Sequence, residues 1–293
     1  MTSLAGCALL AGCGKASILE PAGPVADANR TILFNALTIM LAIVMPTIVG
    51  ALAFAWWYRN GNTKARYDPE FVYSGRIELL VWSIPILVIM FLGGVIWVGS
   101  HELDPSRPLA SRQPPLEVQV VSLDWKWLFI YPQQGIASVN ELVIPVGVPV
   151  HFSITSASVM NTFFVPRLGS MIYAMNGMQT NLNLKADRPG TFYGQSAHYS
   201  GDGFSDMNFR TRAISVAQFN AWAAQSRSFG PVLDEQGYHR LARQSTKVAP
   251  YRYRAVTPGL FKAVVAQALP PGPGPSQGDG GPQVHPTTPG DSK

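Results

Sequence analysis

Side chains able to bind a soft metal are scarce in this chain of 293 residues. Its two cysteines, Cys7 and Cys13, both lie within the first thirteen residues, so neither a thiolate site nor a disulfide framework can form further along. The five histidines are scattered, and no two of them show the i, i+4 spacing of a helical metal site. We therefore expect no metal site and no cofactor in this chain.

Groups suited to nucleophilic or phosphate chemistry are equally sparse. Ser196 and His198 stand two residues apart, but this spacing is common by chance on a strand or loop. Gly201 and Gly203 lack the third glycine of a phosphate-binding loop. The Lys and Arg residues are scattered without interleaved aromatic residues, which disfavours nucleic-acid binding despite a net charge of +5.

The N-terminus contains the sequence Leu-Ala-Gly-Cys twice, and small residues before a cysteine are typical of a lipoprotein cleavage box. Twelve residues precede Cys13 and only six precede Cys7, whereas the apolar segment of a signal needs about 7–15 residues. We expect residues 1–12 to be a signal peptide and Cys13 to be the acylated N-terminus. Because no basic residue precedes Cys13, an apolar tail with two incidental cysteines stays open.

Two long uncharged runs predict membrane spans. Residues 31–57 contain no charged residue in 27 positions, and a helix needs about 20 apolar residues to cross a bilayer. A second uncharged run covers residues 79–99. The sequence therefore predicts transmembrane helices over residues 31–58 and 78–100, joined by a loop over residues 59–77.

The loop between the spans predicts the orientation of the chain. Its excess of basic residues favours the cytoplasmic side, since short cytoplasmic loops are enriched in Lys and Arg. The N-terminus and everything after Ser100 are then expected in the periplasm of a bacterium, with the hairpin in the inner membrane. The charged residues of the loop are Arg59, Lys64, Arg66 and Arg76 against Asp68 and Glu70.

The periodicity changes after the second span. Residues 116–120 alternate between apolar and polar, as a half-buried strand does. Several short strands separated by Gly, Pro, Asn and Asp predict a β-sandwich over residues 114–217. The expected fold class is thus a membrane-anchored α+β chain, in which a two-helix transmembrane hairpin precedes a periplasmic β-sandwich. The further strands are expected at 125–131, 139–144, 148–155, 161–165, 180–184, 191–195 and 209–216.

Two regions of different character follow the sandwich. Residues 218–268 are expected to be a helical segment, bounded by short helices at 217–226 and 261–269. Residues 269–293 are rich in Pro, Gly, Ser and Gln, so they cannot bury enough apolar surface to fold and are expected to be disordered.

Four sequence segments resemble subunit II of haem–copper respiratory oxidases. The resemblance covers roughly residues 9 to 268 and implies that the sandwich is cupredoxin-like. The segments are 78–85 (Glu-Leu-Leu-Val-Trp-Ser-Ile-Pro), 124–127 (Asp-Trp-Lys-Trp), 165–170 (Val-Pro-Arg-Leu-Gly-Ser) and 173–180 (Tyr-Ala-Met-Asn-Gly-Met-Gln-Thr).

The resemblance also implies that a dinuclear copper site has been lost. In the cytochrome c oxidases of this family, a first histidine and a loop Cys-x-Glu-x-Cys-x-x-x-His-x-x-Met hold two copper ions, the CuA centre. One thioether cannot hold copper, so the resemblance points to the quinol-oxidising branch, the cytochrome bo-type oxidases. The corresponding positions here are Asn161, Ser196, His198, Ser200, Phe204 and Met207, and only the last keeps its ligand.

The resemblance further implies a role within a complex. The chain would be a subunit, without a redox centre of its own, of a proton-translocating ubiquinol:oxygen oxidoreductase, alongside smaller subunits and a haem-bearing subunit I that holds the haems, the copper and the quinol. Glu78 would lie at the entrance of a proton path, or else be an ordinary interfacial carboxylate. Trp125 and Trp127 are expected to pack the sandwich and its interface rather than to accept electrons. A cytochrome c oxidase subunit II with an atypical metal site and a lipoprotein scaffold unrelated to respiration stay open.

Overall fold

The computed structural model describes residues 18–66, 68–272 and 274. They form two compact units: residues 30–104 make one, and the residues up to 29 together with those from 105 onward make the other. Cys7, Cys13, the expected signal peptide and most of the expected tail lie outside the described residues.

Two helices account for most of the unit of residues 30–104. The first of them begins a few residues earlier, at Pro24. Helix α1 (Pro24–Trp57) and helix α2 (Gly75–Glu102) are both long and apolar enough to cross a membrane. Each runs through an internal proline, Pro46 and Pro85 respectively. Helix α1 begins at Pro24 rather than at residue 31, because proline suits the first helical position and the helix extends past the charged Asp27 and Arg30.

The start of α1 belongs to the unit that contains the β-sandwich. Ala22 and Val25 belong to the core of the sandwich and are almost completely buried. The backbone N–H of Ala22 donates to the carbonyl of Arg167 at 2.7 Å, and the N–H of Ala26 donates to Leu168 at 3.2 Å. The chain is therefore tied to the sandwich before it enters its uncharged run.

Eleven strands in two sheets form the sandwich: β1 to β10 from residues 116–214, and β12 (Tyr251–Tyr253) from the C-terminal region. One sheet has the order β12-β3-β2-β1-β5-β8 and the other has the order β4-β10-β9-β6-β7. The strands are β1 (Leu116–Leu123), β2 (Lys126–Tyr131), β3 (Ile136–Val139), β4 (Glu141–Pro145), β5 (Val150–Ser156), β6 (Asn161–Phe164), β7 (Ile172–Ala174), β8 (Thr180–Leu184), β9 (Gly190–Ser196) and β10 (Asn208–Ile214).

Strand β2 is buried on both faces, which explains its nearly unbroken apolar sequence. Trp127 and Phe129 face the core between the two sheets, whereas Leu128 and Ile130 belong to a second core beneath the C-terminal region. Strand β2 therefore contributes one face to each of two hydrophobic cores.

Tyr131 joins the two sheets at the end of β2. Its hydroxyl donates to the Val143 carbonyl at 3.1 Å and accepts from the Val143 N–H at 2.8 Å. Val143 lies on β4, an edge strand whose outer backbone groups need partners. Burial, the largest influence on this phenol, raises its pKa.

The C-terminal region contains strands as well as the expected helices. Its β12 adds a sixth strand to the first sheet by pairing with β3. The chain also stays packed beyond residue 269, because Gly272 N–H donates to the Ala157 carbonyl at 2.8 Å and Leu269 is buried. The elements are α3 (Val216–Ser228), β11 (Val232–Leu233), α4 (Glu235–Ala242), β12 (Tyr251–Tyr253), β13 (Ala255–Val256) and α5 (Leu260–Val265).

Candidate functional site

The loop between β9 and β10 meets the start of β6 at one end of the sandwich. Strands β6 and β9 are antiparallel neighbours, with Phe163 opposite Ser196. The loop leaves β9 after Ser196, makes a short 3-10 turn over Phe204–Asp206 and enters β10 after Met207. This pairing brings Asn161, the first residue of β6, next to the loop.

Ser196 and Asn161 form a direct contact. The Ser196 hydroxyl donates to Asn161 Oδ1 at 3.0 Å, lies 3.2 Å from the His198 carbonyl, and accepts from the Thr162 N–H at 3.4 Å. The Ser196 N–H donates to the Met207 carbonyl at 3.1 Å. The side chains of Ser196 and Asn161 are both buried, so these hydrogen bonds replace the ones that they would make to water.

Ser200 and Met207 complete this group. The Ser200 hydroxyl lies 3.9 Å from the Met207 sulfur, and the Met207 side chain is 1% exposed. The structure thus brings together Asn161, Ser196, Ser200 and Met207, four of the six positions singled out from the sequence. We call these four residues the polar cluster.

The rings of the other two singled-out positions have aromatic neighbours. His198 and Phe204 are both partly exposed. The His198 ring packs edge-on against Tyr173 with centroids 6.0 Å apart, and the Phe204 ring packs against Tyr199 at 5.6 Å. Both rings are thus more exposed than the hydroxyls of Ser196 and Ser200, which are buried.

The chemistry of the polar cluster is that of hydrogen bonding. Two hydroxyls, one amide and one thioether offer a single soft donor, whereas copper sites are built from thiolate, imidazole and thioether ligands. Within the described residues, no group of three or more His, Cys, Asp or Glu side chains could hold a metal ion. Hydrogen bonds from Ser196 to Asn161 Oδ1 and to the Met207 carbonyl connect the two ends of the loop to the start of β6.

Trp125 connects the β9–β10 loop to the turn between β1 and β2. It occupies the hairpin turn between β1 and β2 with a φ of 62°, a left-handed conformation that is unusual for a bulky residue. Its indole N–H donates to the Ser200 carbonyl at 3.0 Å, and a Cβ on Gly203 would lie 2.3 Å from the indole ring. Trp125 is 3% exposed, and Trp127 lies in the core.

A buried lysine beside this turn was not predicted from the sequence. Lys126 Nζ donates to the Arg243 carbonyl at 2.6 Å and to the Ser245 hydroxyl at 2.7 Å, and the side chain is 1% exposed. Burial lowers the pKa of Lys126 to about 8, although the nearby Asp124 carboxylate acts in the opposite direction. The only sequence signal was a pair of charged residues interleaved with two tryptophans.

The Asp124 carboxylate connects the same turn to two other segments. It accepts hydrogen bonds from the Ser158 hydroxyl and, at 3.0 Å, from the Gly274 N–H. The carboxylate is thus satisfied although the residue is 4% exposed.

Glu78 lies in the first turn of α2, in the unit of residues 30–104. Its Oε2 accepts a hydrogen bond of 3.0 Å from the indole N–H of Trp82, one helical turn further along. The unpaired N–H groups of a helix N-terminus also favour a negative charge there. The structure therefore places an oriented carboxylate at the start of the second apolar helix.

Comparison with known proteins identifies matching families. Residues 118–214 match the family described as cytochrome c oxidase subunit II, periplasmic domain, and residues 227–272 match the COX aromatic rich motif. A solved structure of the periplasmic domain of subunit II of cytochrome oxidase from Bradyrhizobium japonicum is 25% identical and covers 41% of this chain and 98% of its own, with a TM-score of 0.38.

Two relatives match over most of both chains and at higher identity. Ubiquinol oxidase subunit 2 of Acetobacter aceti is 51% identical over 261 residues, which cover 88% of this chain and 84% of the relative. Cytochrome bo(3) ubiquinol oxidase subunit 2 of Pseudomonas aeruginosa is 47% identical over 265 residues, which cover 90% and 80%. The predicted family and fold class are confirmed: the chain belongs to the family of subunit 2 of ubiquinol oxidases, as a membrane-anchored protein with a periplasmic cupredoxin-like C-terminal domain.

Proposed function

We propose that this chain is the subunit of a terminal ubiquinol:oxygen oxidoreductase that carries no redox centre itself. The observation that carries the proposal is the polar cluster, in which hydrogen-bonded Asn161, Ser196 and Ser200 stand where the cytochrome c oxidases of the family are expected to hold copper. A lipid-soluble quinol delivers electrons within the membrane, so a periplasmic relay is not needed. The haems, the copper and the quinol site are assigned to subunit I.

The proposal includes a membrane orientation. Residues 59–77 form a cytoplasmic loop, the sandwich lies in the periplasm, and Cys13 is the lipidated N-terminus of the mature chain in the bacterial inner membrane. The excess of basic residues in the loop supports this orientation. The chain then contributes assembly and a periplasmic cap to the complex, together with subunit I and smaller subunits.

The electron donor tests this function. We expect the complex purified from membranes through a tag on this chain to consume oxygen with ubiquinol and not with reduced cytochrome c. Metal analysis of the separated chain should find no stoichiometric copper, and the chain should show no near-infrared mixed-valence absorption. Copper in a fixed ratio to this chain, or turnover with cytochrome c, would instead support an electron-transfer subunit.

Glu78 is proposed to lie at the entrance of a proton path of subunit I. The Glu78→Ala variant is expected to lower turnover and proton uptake about tenfold, equivalent to raising the barrier by about 1.4 kcal/mol, because the side chain that passes on the proton is gone. Stopped-flow proton uptake with a pH indicator measures the effect. Glu78→Asp should keep most activity, and Glu70→Ala, which removes an exposed loop carboxylate, is the matched control. Unchanged turnover and proton uptake in Glu78→Ala would remove the proposal.

A further inference from the structure

The segment that follows α1 lies where lipid headgroups are expected. Trp56, Trp57 and Tyr58 end the uncharged run, and each is at least 44% exposed. Aromatic residues of this kind settle at the membrane–water boundary. The loop from Arg59 onward therefore begins at the depth of the lipid phosphates, on whichever side of the membrane it lies.

Local hydrogen bonds shape this loop. The Asn62 side-chain amide donates to the Trp57 carbonyl, and the Asn62 side-chain oxygen accepts from the Lys64 N–H at 3.2 Å. The Asn62 N–H also donates to the Arg59 carbonyl at 3.1 Å. The chain is thereby folded back against the end of α1 instead of extending away from it.

A cavity of about 760 Å³ opens between this folded loop and the two helix ends. One part of its wall is apolar and aromatic, and another part is cationic. Such a division matches a ligand with a charged head and a hydrocarbon tail. The residues that define the two parts are Phe54, Tyr58, Phe71 and Ile77 on the apolar side and Arg59 and Arg66 on the cationic side.

The cationic side is short of negative partners. Within the described residues, no carboxylate comes within ion-pair distance of Arg59, whose guanidinium donates to the Trp56 carbonyl at 3.0 Å and lies 5.0 Å from the centre of the Trp56 ring. Arg66 approaches Asp68, which also lines the cavity, at 3.7 Å, but its side chain is 87% exposed. An exposed pair of this length contributes little, so both arginines can accept an anion.

We propose that this cavity binds an anionic glycerophospholipid, with the phosphate diester at Arg59 and Arg66 and an acyl chain along Phe54, Tyr58 and Phe71. Arginine suits phosphate because its planar guanidinium donates two parallel hydrogen bonds. Basic pockets beside transmembrane helices are known to favour anionic headgroups. Only the choice of the cytoplasmic leaflet rests on the orientation proposed above.

Native mass spectrometry of the intact complex tests the charge recognition. The probes are dioctanoyl-phosphatidylglycerol, dioctanoyl-phosphatidylcholine and inorganic phosphate. We expect phosphatidylglycerol to bind more tightly than phosphatidylcholine, and Arg59→Gln/Arg66→Gln to raise its Kd about thirtyfold. Arg59→Lys/Arg66→Lys should keep most of the affinity. The matched control is Arg210→Gln/Arg227→Gln, which removes two exposed arginines of the sandwich unit and should leave the Kd unchanged.

Labelling of the unaltered complex gives a second measurement that needs no variant. A photoactivatable phosphatidylglycerol should label peptides within residues 54–77. Labelling only elsewhere, equal affinity for the two lipids, or an unchanged Kd in Arg59→Gln/Arg66→Gln would overturn the proposal. Displacement of the lipid by equimolar inorganic phosphate would also overturn it, in favour of a free-phosphate site. None of these readouts uses oxidase activity, so the result is independent of the electron donor.

Discussion

Replacing Phe163 by alanine is expected to lower the free energy of unfolding of the sandwich by about 3–5 kcal/mol, the range for truncating a buried aromatic residue. Phe163 is completely buried on β6, and its ring packs against rings from both sheets. Little of the resulting cavity can collapse, because the four surrounding rings belong to three different strands, β2, β5 and β10. The centroid distances are 5.6 Å to Trp127, 6.4 Å to Phe129, 5.4 Å to Phe152 and 5.3 Å to Phe209.

Urea-induced unfolding of the full chain in detergent, followed by near-ultraviolet circular dichroism, measures this loss. The matched control is Phe229→Ala, since Phe229 is 74% exposed at the end of α3 and should change the stability by less than about 0.5 kcal/mol. A loss below about 1 kcal/mol for Phe163→Ala would show that the core repacks around the gap.

The periodic part of the fold could be predicted from the sequence because burial imposes a regular pattern. The alternation in residues 116–120 and the uncharged runs in both spans follow directly from which faces meet water, the core or lipid. The start of α1 was missed because it packs on the sandwich, so charged Asp27 and Arg30 are compatible with the helix there. Burial by a distant part of the chain leaves no local signal.

The run expected as a single strand over residues 139–144 is two strands on different sheets. Asn140 separates them with a φ of 53°, a conformation that asparagine adopts more readily than most residues. Its side-chain oxygen accepts from the Trp127 N–H at 2.9 Å, and its amide donates to the Val248 carbonyl at 2.8 Å. Propensity alone cannot reveal this switch, because its partners lie far along the chain.

The candidate site likewise combines contacts that a local sequence pattern predicts with contacts that depend on distant parts of the chain. The motif groups Asn161, Ser196, Ser200 and Met207, and the structure places them at one end of the sandwich because β6 pairs with β9 there. The motif could not reveal that the Trp125 indole donates a hydrogen bond to that loop, or that Lys126 is buried next to Trp125. Those contacts depend on residues 200–203 and 243–245 reaching the same hairpin turn.

Lys126 is expected to make the stability of the sandwich rise with pH above about 8. In the unfolded chain this amine keeps its proton up to its ordinary pKa of 10.5, whereas burial lowers the folded-state pKa to about 8. Between these values the unfolded state binds more protons, so the free energy of unfolding increases with pH. The full increase is about 3 kcal/mol, and it is lost again as the pH falls through 8.

The Lys126→Met variant isolates this contribution. It removes the titrating amine and leaves the Arg243 carbonyl and the Ser245 hydroxyl without their donor. The difference in the free energy of unfolding between the unaltered chain and the variant should grow by up to about 3 kcal/mol, in favour of the unaltered chain, as the pH rises from 7 towards 10. Burial raises the pKa values of Tyr131 and Tyr238, so their phenols lower stability above pH 10, but they do so equally in both proteins.

Urea-induced unfolding of both chains in detergent at several pH values gives this difference directly. Lys262→Met is the matched control: Lys262 is exposed on α5, so its variant should follow the pH profile of the unaltered chain. Parallel profiles for the unaltered chain and Lys126→Met would mean that Lys126 keeps its proton when buried, with the Asp124 carboxylate compensating for the loss of water. A diverging profile means instead that desolvation outweighs that carboxylate, and that the hairpin turn holds a lysine that loses its charge at mildly alkaline pH.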